Sequence, residues 1–284
     1  MVELNDLLVV IVLYRQQLSE SISFKSLMQC ATDCNSGIDL YIYDNSPIDF
    51  VQEDIKLYQN KIKIQYIRDI SNIGIGKAYN EGYIYAESIR KNWILLLDQD
   101  SLLPNSYCSI FFDTLSKYYS NDIVAYVPKI EVKGKIISPA KISNSGFLTF
   151  LDNKHLEKGI KFNISALNSG TIISTCFLKE IGGFSEHYPL DMLDHWLYKK
   201  IVMLKKTIVL MPITIQHNLS VMSGYTLDRK RLISILNAEK NFVNEFGNIL
   251  DIFFYKLRLL GRCIKYFINF ENLHTLICLK YIFK

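Results

Sequence analysis

No two cysteines in this chain of 284 residues stand at CxxC spacing, although there are six: Cys30, Cys34, Cys108, Cys176, Cys263 and Cys278. That pattern reads as free thiols in a reducing compartment, with Cys30 and Cys34 as two small apolar residues on one helix face. No uncharged run reaches the length of a membrane-spanning helix, and Leu7 to Leu13 is too short for a secretory h-region. The sequence therefore predicts a cytosolic protein. The body of the chain also lacks excess charge. Lys256, Arg258, Arg262, Lys265, Lys280 and Lys284 stand against Asp251 and Glu271 after Gly247, so the whole net charge of +4 sits in that tail. A neutral body argues against nucleic acid as a partner. Two phosphate-binding motifs are incomplete: Tyr79 stands where a dinucleotide fingerprint needs its third glycine, and Ala78 where a P-loop needs Ser or Thr.

With 49% hydrophobic and 13% aromatic residues the chain is not disordered, and its length allows one large α/β domain or one domain with an appendage. The centre of the pattern is Trp93-Ile-Leu-Leu-Leu-Asp98-Gln-Asp100-Ser101, a short apolar run that ends on two carboxylates. Such a run reads as a strand buried on both faces. In an open α/β sheet ligands bind beyond the carboxyl ends of the strands, where Asp98 and Asp100 would hold a divalent cation and a phosphate-bearing ligand. The competing reading of Asp-x-Asp-Ser is a turn or helix cap.

Around it, Leu7–Leu13, Leu40–Tyr43 and Ile62–Ile67 read as strands, with a helix between Leu18 and Cys30. Asp44, just past the second strand, is placed to meet a ribose or base, or simply to make the Asp-Asn-Ser-Pro turn. Ser71-Asn72-Ile-Gly74-Ile-Gly76-Lys77 precedes a helix that runs through Ile89. Glycines there let phosphates approach backbone amides, and Lys77 adds charge; a plain helix start is the alternative. Further on the pattern predicts a helix over Leu102–Tyr119 with Pro104 in its first turn, a strand over Ile123–Val127 and a hairpin around Lys133-Gly134-Lys135. Asn144 to Phe162 shows no period and is expected to form a mobile loop over the site. Ala166 to Ser174 reads as a strand with Gly170 inside. Ile181-Gly-Gly-Phe184 is a turn, and Leu190 to Trp196 opens a helix with the stripe Leu193, Leu197, Ile201, Leu204. Asp191 and Asp194 fall in its first turn, where helix capping is the competing role. Ile208–Ile215 is a late strand followed by His217, and Asp228–Phe246 a further helix. Over Ile249–Ile268, the residues Ile249, Phe253, Leu257, Leu260, Ile264 and Phe267 share one face and Arg258, Arg262 and Lys265 lie opposite. This basic amphipathic helix suits an anionic membrane surface; packing on the main domain is the alternative.

Taken in order, Asp44-Asn-Ser46, Asn72 to Asn80, Leu97 to Ser101, Asn168 to Ser174, Ile181 to Phe184 and Asp191 to Asp194 resemble the family 2 glycosyltransferases of the GT-A fold. The set is most similar to the bacterial rhamnosyltransferase-like group. The resemblance implies a Rossmann-like, mostly parallel sheet flanked by helices. It implies a catalytic domain over 1–222, with a nucleotide half to about 101 and an acceptor half to 222, and a helical extension over 223–284. It implies inverting transfer from a nucleotide-diphosphate sugar; the basic amphipathic tail adds the expectation of a polyprenyl-linked saccharide acceptor in surface polysaccharide synthesis, at the inner face of the cytoplasmic membrane. Asp44 and Arg68 would contact the nucleoside, with Asn72, Gly76 and Lys77 on the donor side. Asp98 would bind the ribose or diphosphate. Asp100 would ligate Mg²⁺ or Mn²⁺, with Asp98 and His217 as further ligands. Asp194 would be the catalytic base, with Asp191 supporting it or touching the acceptor. His195-Trp196 and Lys200 depart from the Glu and Arg of many members, at positions expected to shape the acceptor or diphosphate end. Donors other than rhamnose, and a catalytically silent sugar-nucleotide-binding subunit, remain as alternatives. A nicotinamide-dependent oxidoreductase fails on the missing glycine.

Overall fold

The computed structural model describes residues 6–34, 38–48, 55, 58, 62–152, 154–217 and 228–283, with the backbone alone at 31–34 and 217. The first half holds β1 (Leu7–Leu13), α1 (Ile22–Cys34), β2 (Asp39–Asp44), β3 (Lys63–Arg68), α2 (Ile75–Ser88), β4 (Trp93–Asp98) and β5 (Ser101–Leu102). Then come α3 (Tyr107–Tyr118), β6 (Ile123–Val132), β7 (Lys135–Ser138), β8 (Ala140–Ile142), β9 (Leu148–Phe150), β10 (Gly159–Lys161), β11 (Thr171–Ser174) and α4 (Thr175–Ile181). The chain continues with α5 (Leu193–Met203), β12 (Thr207–His217), α6 (Arg229–Phe246), α7 (Ile249–Ile268) and α8 (Asn272–Phe283).

The strands form a mixed sheet in the order β10-β12-β6-β11-β4-β1-β2-β3, with β5 added on β12 and β7 on β6. β3, β2, β1 and β4 are mutually parallel, as are β6 and β12, while β11 runs antiparallel between β4 and β6. Helices cover both faces, which is why β1, and β4 from Trp93 to Leu97, are apolar at every position. Val9, Ile11, Leu95 and Leu97 join the core under α1 and α3, whereas Leu8, Val10, Ile94 and Leu96 join the core under α2, α4 and α5. Each such fully buried side chain contributes roughly 1.5–3 kcal/mol. A third core lies among α6, α7 and α8, and Phe242 ties α6 to the second core. The expected boundary at 222/223 falls outside the described residues. Among those residues Cys30, Cys108, Cys176, Cys263 and Cys278 form no disulfide, and no helix is long and apolar enough to cross a membrane.

Three expectations change. Ser101–Leu102 pairs with Gln216–His217 of β12, so α3 starts only at Tyr107 and Pro104 lies ahead of it. The Asn144–Phe162 segment carries β9, paired with β8, and β10, paired with β12, so it includes part of the sheet edge. Only Thr171–Ser174 of the Ala166–Ser174 stretch is strand, because Gly170 before it takes a left-handed φ of 74°.

Candidate functional site

At the carboxyl end of β4 the Asp98–Leu103 turn is built on serines of the α1 entry. Ser21 Oγ donates to Gln99 O (2.9 Å), Ser23 Oγ donates to the carbonyls of Asp98 and Ser101, and Ser26 Oγ accepts from Leu103 N–H (3.1 Å). All three are buried, so the turn's backbone groups are satisfied out of water and its shape is fixed. The turn separates its two aspartates. Asp98 accepts a hydrogen bond from Ser169 Oγ and faces the Tyr79 hydroxyl at 3.5 Å. Asp100 lines a cavity of about 210 Å³ with Ile22, Leu102, Glu131, Lys133 and Gln216. Among the described residues no three His, Cys, Asp or Glu side chains gather as a metal site. The backbone of His217 lies opposite Ser101 in the β5–β12 register, beside Asp100; its side chain falls outside the described residues.

A second pair of carboxylates faces this turn. Met192, at φ 66°, caps α5 and turns Asp194 into its first turn. The Asp194 carboxyl is pushed up to about 7, chiefly by burial, with the charges of Asp98 and Asp191 adding to it. The Asn168 backbone N–H donates to it and opposes the shift. One turn thus holds both clusters: Asn168 through its amide to Asp194, Ser169 through its hydroxyl to Asp98. The turn is pinned by Gly170 N–H to Leu96 O (2.7 Å), by the Tyr107 hydroxyl on Gly170 O, and by Thr171 Oγ1 on Leu167 O (2.9 Å). Asn168 Oδ1 is buried with no hydrogen-bond partner among the described residues, so it is an acceptor held ready at the site. Asp191 is gripped through both oxygens by the Arg231 guanidinium from α6. Burial still pushes Asp191 upward against that pairing.

Several residues singled out in the sequence do other work. Asp44 is fully buried; it accepts from Ser46 N–H (2.9 Å) and the Tyr66 hydroxyl (3.0 Å), so it shapes the turn. Arg68 donates to Pro47 O (2.8 Å) and braces that same turn. Asn72, at φ 44°, is exposed and closes a turn on Asp69 O. Lys77 pairs with Asp69 at 2.9 Å, and hydrogen bonds from Ser71, Tyr43 and Lys77 hold that carboxyl far below the usual range. The glycines serve packing. A Cβ on Gly74, at φ 129°, would overlap the Pro189 carbonyl, and one on Gly76 would press on Ser185 O at 3.1 Å. Ile75 N–H donates to Pro189 O (2.6 Å), so the α2 N-terminus is covered by the 184–189 segment and receives no phosphate in this conformation. Asn80 completes the joint, donating to Phe184 O (2.9 Å) and accepting from Phe184 N–H (2.7 Å), with Gly183 at φ 87° beside it. Trp196 and Lys200 point away from the aspartates: both bond Glu245 Oε1 of α6, at 3.1 and 2.8 Å, while Tyr188 takes Oε2. His195 bonds Ser165 Oγ at 2.7 Å, and burial lowers it to about 4, leaving it neutral near pH 7.

Several solved structures share this fold. S. aureus TarS 1-349 superposes with a TM-score of 0.55 at 13% identity, over 85% of this chain and 72% of that one. GalNAc-T7, solved with UDP, GalNAc and Mn²⁺, gives 0.58 at 16% identity, over 82% of this chain and about half (47%) of its own. TarS 1-349 in complex with UDP-GlcNAc gives 0.51 at 17%, over 85% and 71%. Comparison with curated proteins finds no match. The model of glycosyl transferase family 2 matches residues 9–176, well over half of the chain. The protein belongs to that family, and its sheet is the GT-A arrangement expected from the motifs.

Proposed function

We propose that this chain is an inverting, metal-dependent glycosyltransferase that moves a hexose, rhamnose first among the candidates, from a nucleotide-diphosphate sugar to a saccharide carried on a polyprenyl lipid in bacterial surface polysaccharide synthesis. The observation that carries the reading is the bridged pair of carboxylate clusters at the ends of the parallel strands, joined by Asn168 and Ser169. Asp100 would supply a carboxylate oxygen of the hard kind that Mg²⁺ or Mn²⁺ prefers, with Asp98, on the other side of the turn, and the nitrogen donor His217 as further ligands once donor is bound. The repulsion of Asp98 on Asp194 is of the kind a bound cation relieves. When bound, that cation would stabilise negative charge on the departing diphosphate. Asp194 then takes the proton of the attacking acceptor hydroxyl. A base with its pKa near 7 is half ionised at neutral pH and matched to that task. Attack from the side opposite the leaving group inverts the anomeric centre. GalNAc-T7 bound to UDP and Mn²⁺ and TarS bound to UDP-GlcNAc support a nucleotide-sugar donor and a divalent metal.

The test is calorimetry of dTDP-rhamnose, UDP-galactofuranose, UDP-glucose and UDP-galactose with and without Mn²⁺. Metal-dependent binding of one donor, lost in Asp100→Ala, names the sugar and supports the metal site. Metal-dependent binding that survives in Asp100→Ala moves the metal elsewhere, and a donor that binds equally well without Mn²⁺ removes the metal from the reading. Donor binding with turnover unchanged in Asp194→Asn removes Asp194 as the base.

A further inference from the structure

The last two helices present an apolar surface with no cover among the described residues. On α7, Ile249, Leu250, Phe253, Phe254, Leu257, Leu260, Ile264, Phe267 and Ile268 are all exposed, from 45% at Leu260 to 81% at Ile249. At roughly 100° per residue they occupy an arc of about 140°. The surface continues through Phe270, 89% exposed, to Leu273 and Leu276 of α8. A different face of α7, carrying Tyr255, Leu259 and Cys263, packs against α6 and α8. The helix is therefore apolar on two sides, and only one is used by the fold.

The charges are sorted around these faces. Arg258 and Arg262 turn inward: Arg262 pairs with Glu239 of α6 at 2.9 Å, and Arg258 donates to Gly146 O and stands 3.7 Å from Glu239. Lys256 and Lys265 lie on the two borders of the exposed arc and, with Lys280, make no ion pair among the described residues. The acids of the region are engaged elsewhere, Asp251 in the Asn248 capping box and Glu271 with His274 at 3.1 Å. A seam between protein helices is narrower and edged by both signs of charge. A broad apolar arc edged only by lysines matches a bilayer interface, where the stems lie along the apolar face and the ammonium groups reach lipid phosphates.

We infer that α7 and α8 form a lipid-facing ledge that sinks its apolar arc into the bilayer interface, driven by apolar insertion and aided by Lys256, Lys265 and Lys280 rather than by the arginines. The Arg258–Gly146 contact joins the ledge to the turn before β9, where Phe147 and Phe150 are also exposed. Asn144 of the same turn accepts from Lys199 of α5 at 2.7 Å, so the ledge adjoins the helix that carries Asp194. A lipid-carried acceptor would meet the base from that side; this last point rests on the transferase reading, whereas the ledge does not.

The experiment is co-sedimentation of the full chain with vesicles of phosphatidylcholine alone and of phosphatidylcholine with phosphatidylglycerol, at low and high salt. Binding to both is expected, stronger with the anionic lipid, with the difference between them abolished by salt. Phe253→Asp and Ile264→Asp, each at an exposed position, should weaken partitioning on the order of tenfold or more. The pair Lys256→Gln, Lys265→Gln should remove only the anionic increment. No binding to either vesicle, or binding that survives Phe253→Asp combined with Ile264→Asp, overturns the inference. So does a dimer seen by light scattering that those substitutions dissociate while vesicles are ignored, because the face would then belong to a second copy. Nucleotide-sugar calorimetry on the same variants separates loss of the ledge from failure of the transferase reading.

Discussion

Asp194 is held in a state that the native fold favours only when it is protonated. Its carboxyl is pushed up to about 7 in the folded chain, well above the 3.8 of an unperturbed aspartate, so the native state binds the proton more tightly. The stabilisation is fully present below pH 4 and is lost as pH rises through 7; above that the ionised carboxylate costs up to about 4 kcal/mol. Two consequences are measurable. Turnover should rise with an apparent pKa near 7, and Asp194→Asn should abolish it while raising the melting temperature at pH 8 and leaving it unchanged at pH 4; a pH-independent shift in stability would contradict this. Ser169 acts one step away, through its hydrogen bond to Asp98. Ser169→Ala should leave the fold intact and weaken metal-dependent donor binding by about tenfold, the worth of one charge-assisted hydrogen bond. Calorimetry with unchanged affinity would show that Asp98 needs no such support. Neither serine nor asparagine of the Asn168-Ser169-Gly170 run announced a bridging role: the run reads as a strand, and the bridge exists only because β11 is inserted beside β4.

Two stretches that look like ligand motifs, Asn72–Asn80 and Ile181–Phe184, are the two halves of one joint. Gly74 and Gly76 admit the Ser185–Pro189 backbone, and Asn80 pairs with both backbone polar groups of Phe184. The joint places the chain that leads to Asp191 and Asp194 over the end of β4. Asn80→Ala would leave those two groups without partners, at about 1–3 kcal/mol for each one buried. Urea denaturation should show a lower midpoint, and turnover should fall because the 184–194 segment loses its anchor; a midpoint within error of the parent would count against this account. Spacing marks these glycines as places where phosphates could approach the backbone, or as a plain helix start. What approaches is the protein's own backbone, and local sequence carries no information about which chain fills a gap. The start of α3 differs from the sequence expectation for a similar reason. Leu102 has a helical neighbourhood, but β12, more than a hundred residues later, claims it for the sheet.

Across the fold, the C-terminal helices brace the segment that carries Asp191 and Asp194. Glu245 collects Tyr188, Trp196 and Lys200, and these bonds hold its carboxyl low although burial alone would raise it. Arg231 grips Asp191 from the same helix. Arg231→Met would leave a partly buried carboxylate unpaired, and thermal unfolding should report a loss of roughly 3 kcal/mol. If the loss is absent, Asp191 does not depend on α6. Unbroken apolar runs are enough to read the central strands, and a helical period to read α5, α6 and the limits of α7, because a strand buried on both faces admits no polar residue and a helix with one apolar stripe repeats every 3.6 residues. Family membership followed from the order of the motifs along the chain. Three matters are decided only by packing between distant segments: Asp44 and one guanidinium nitrogen of Arg68 bond the 44–47 turn, α2 begins against Pro189, and the arginines of α7 face Glu239 while its apolar stripe faces outward. Periodicity says that a helix has two faces. Which face turns inward depends on the partner it meets, and that is a property of the assembled fold.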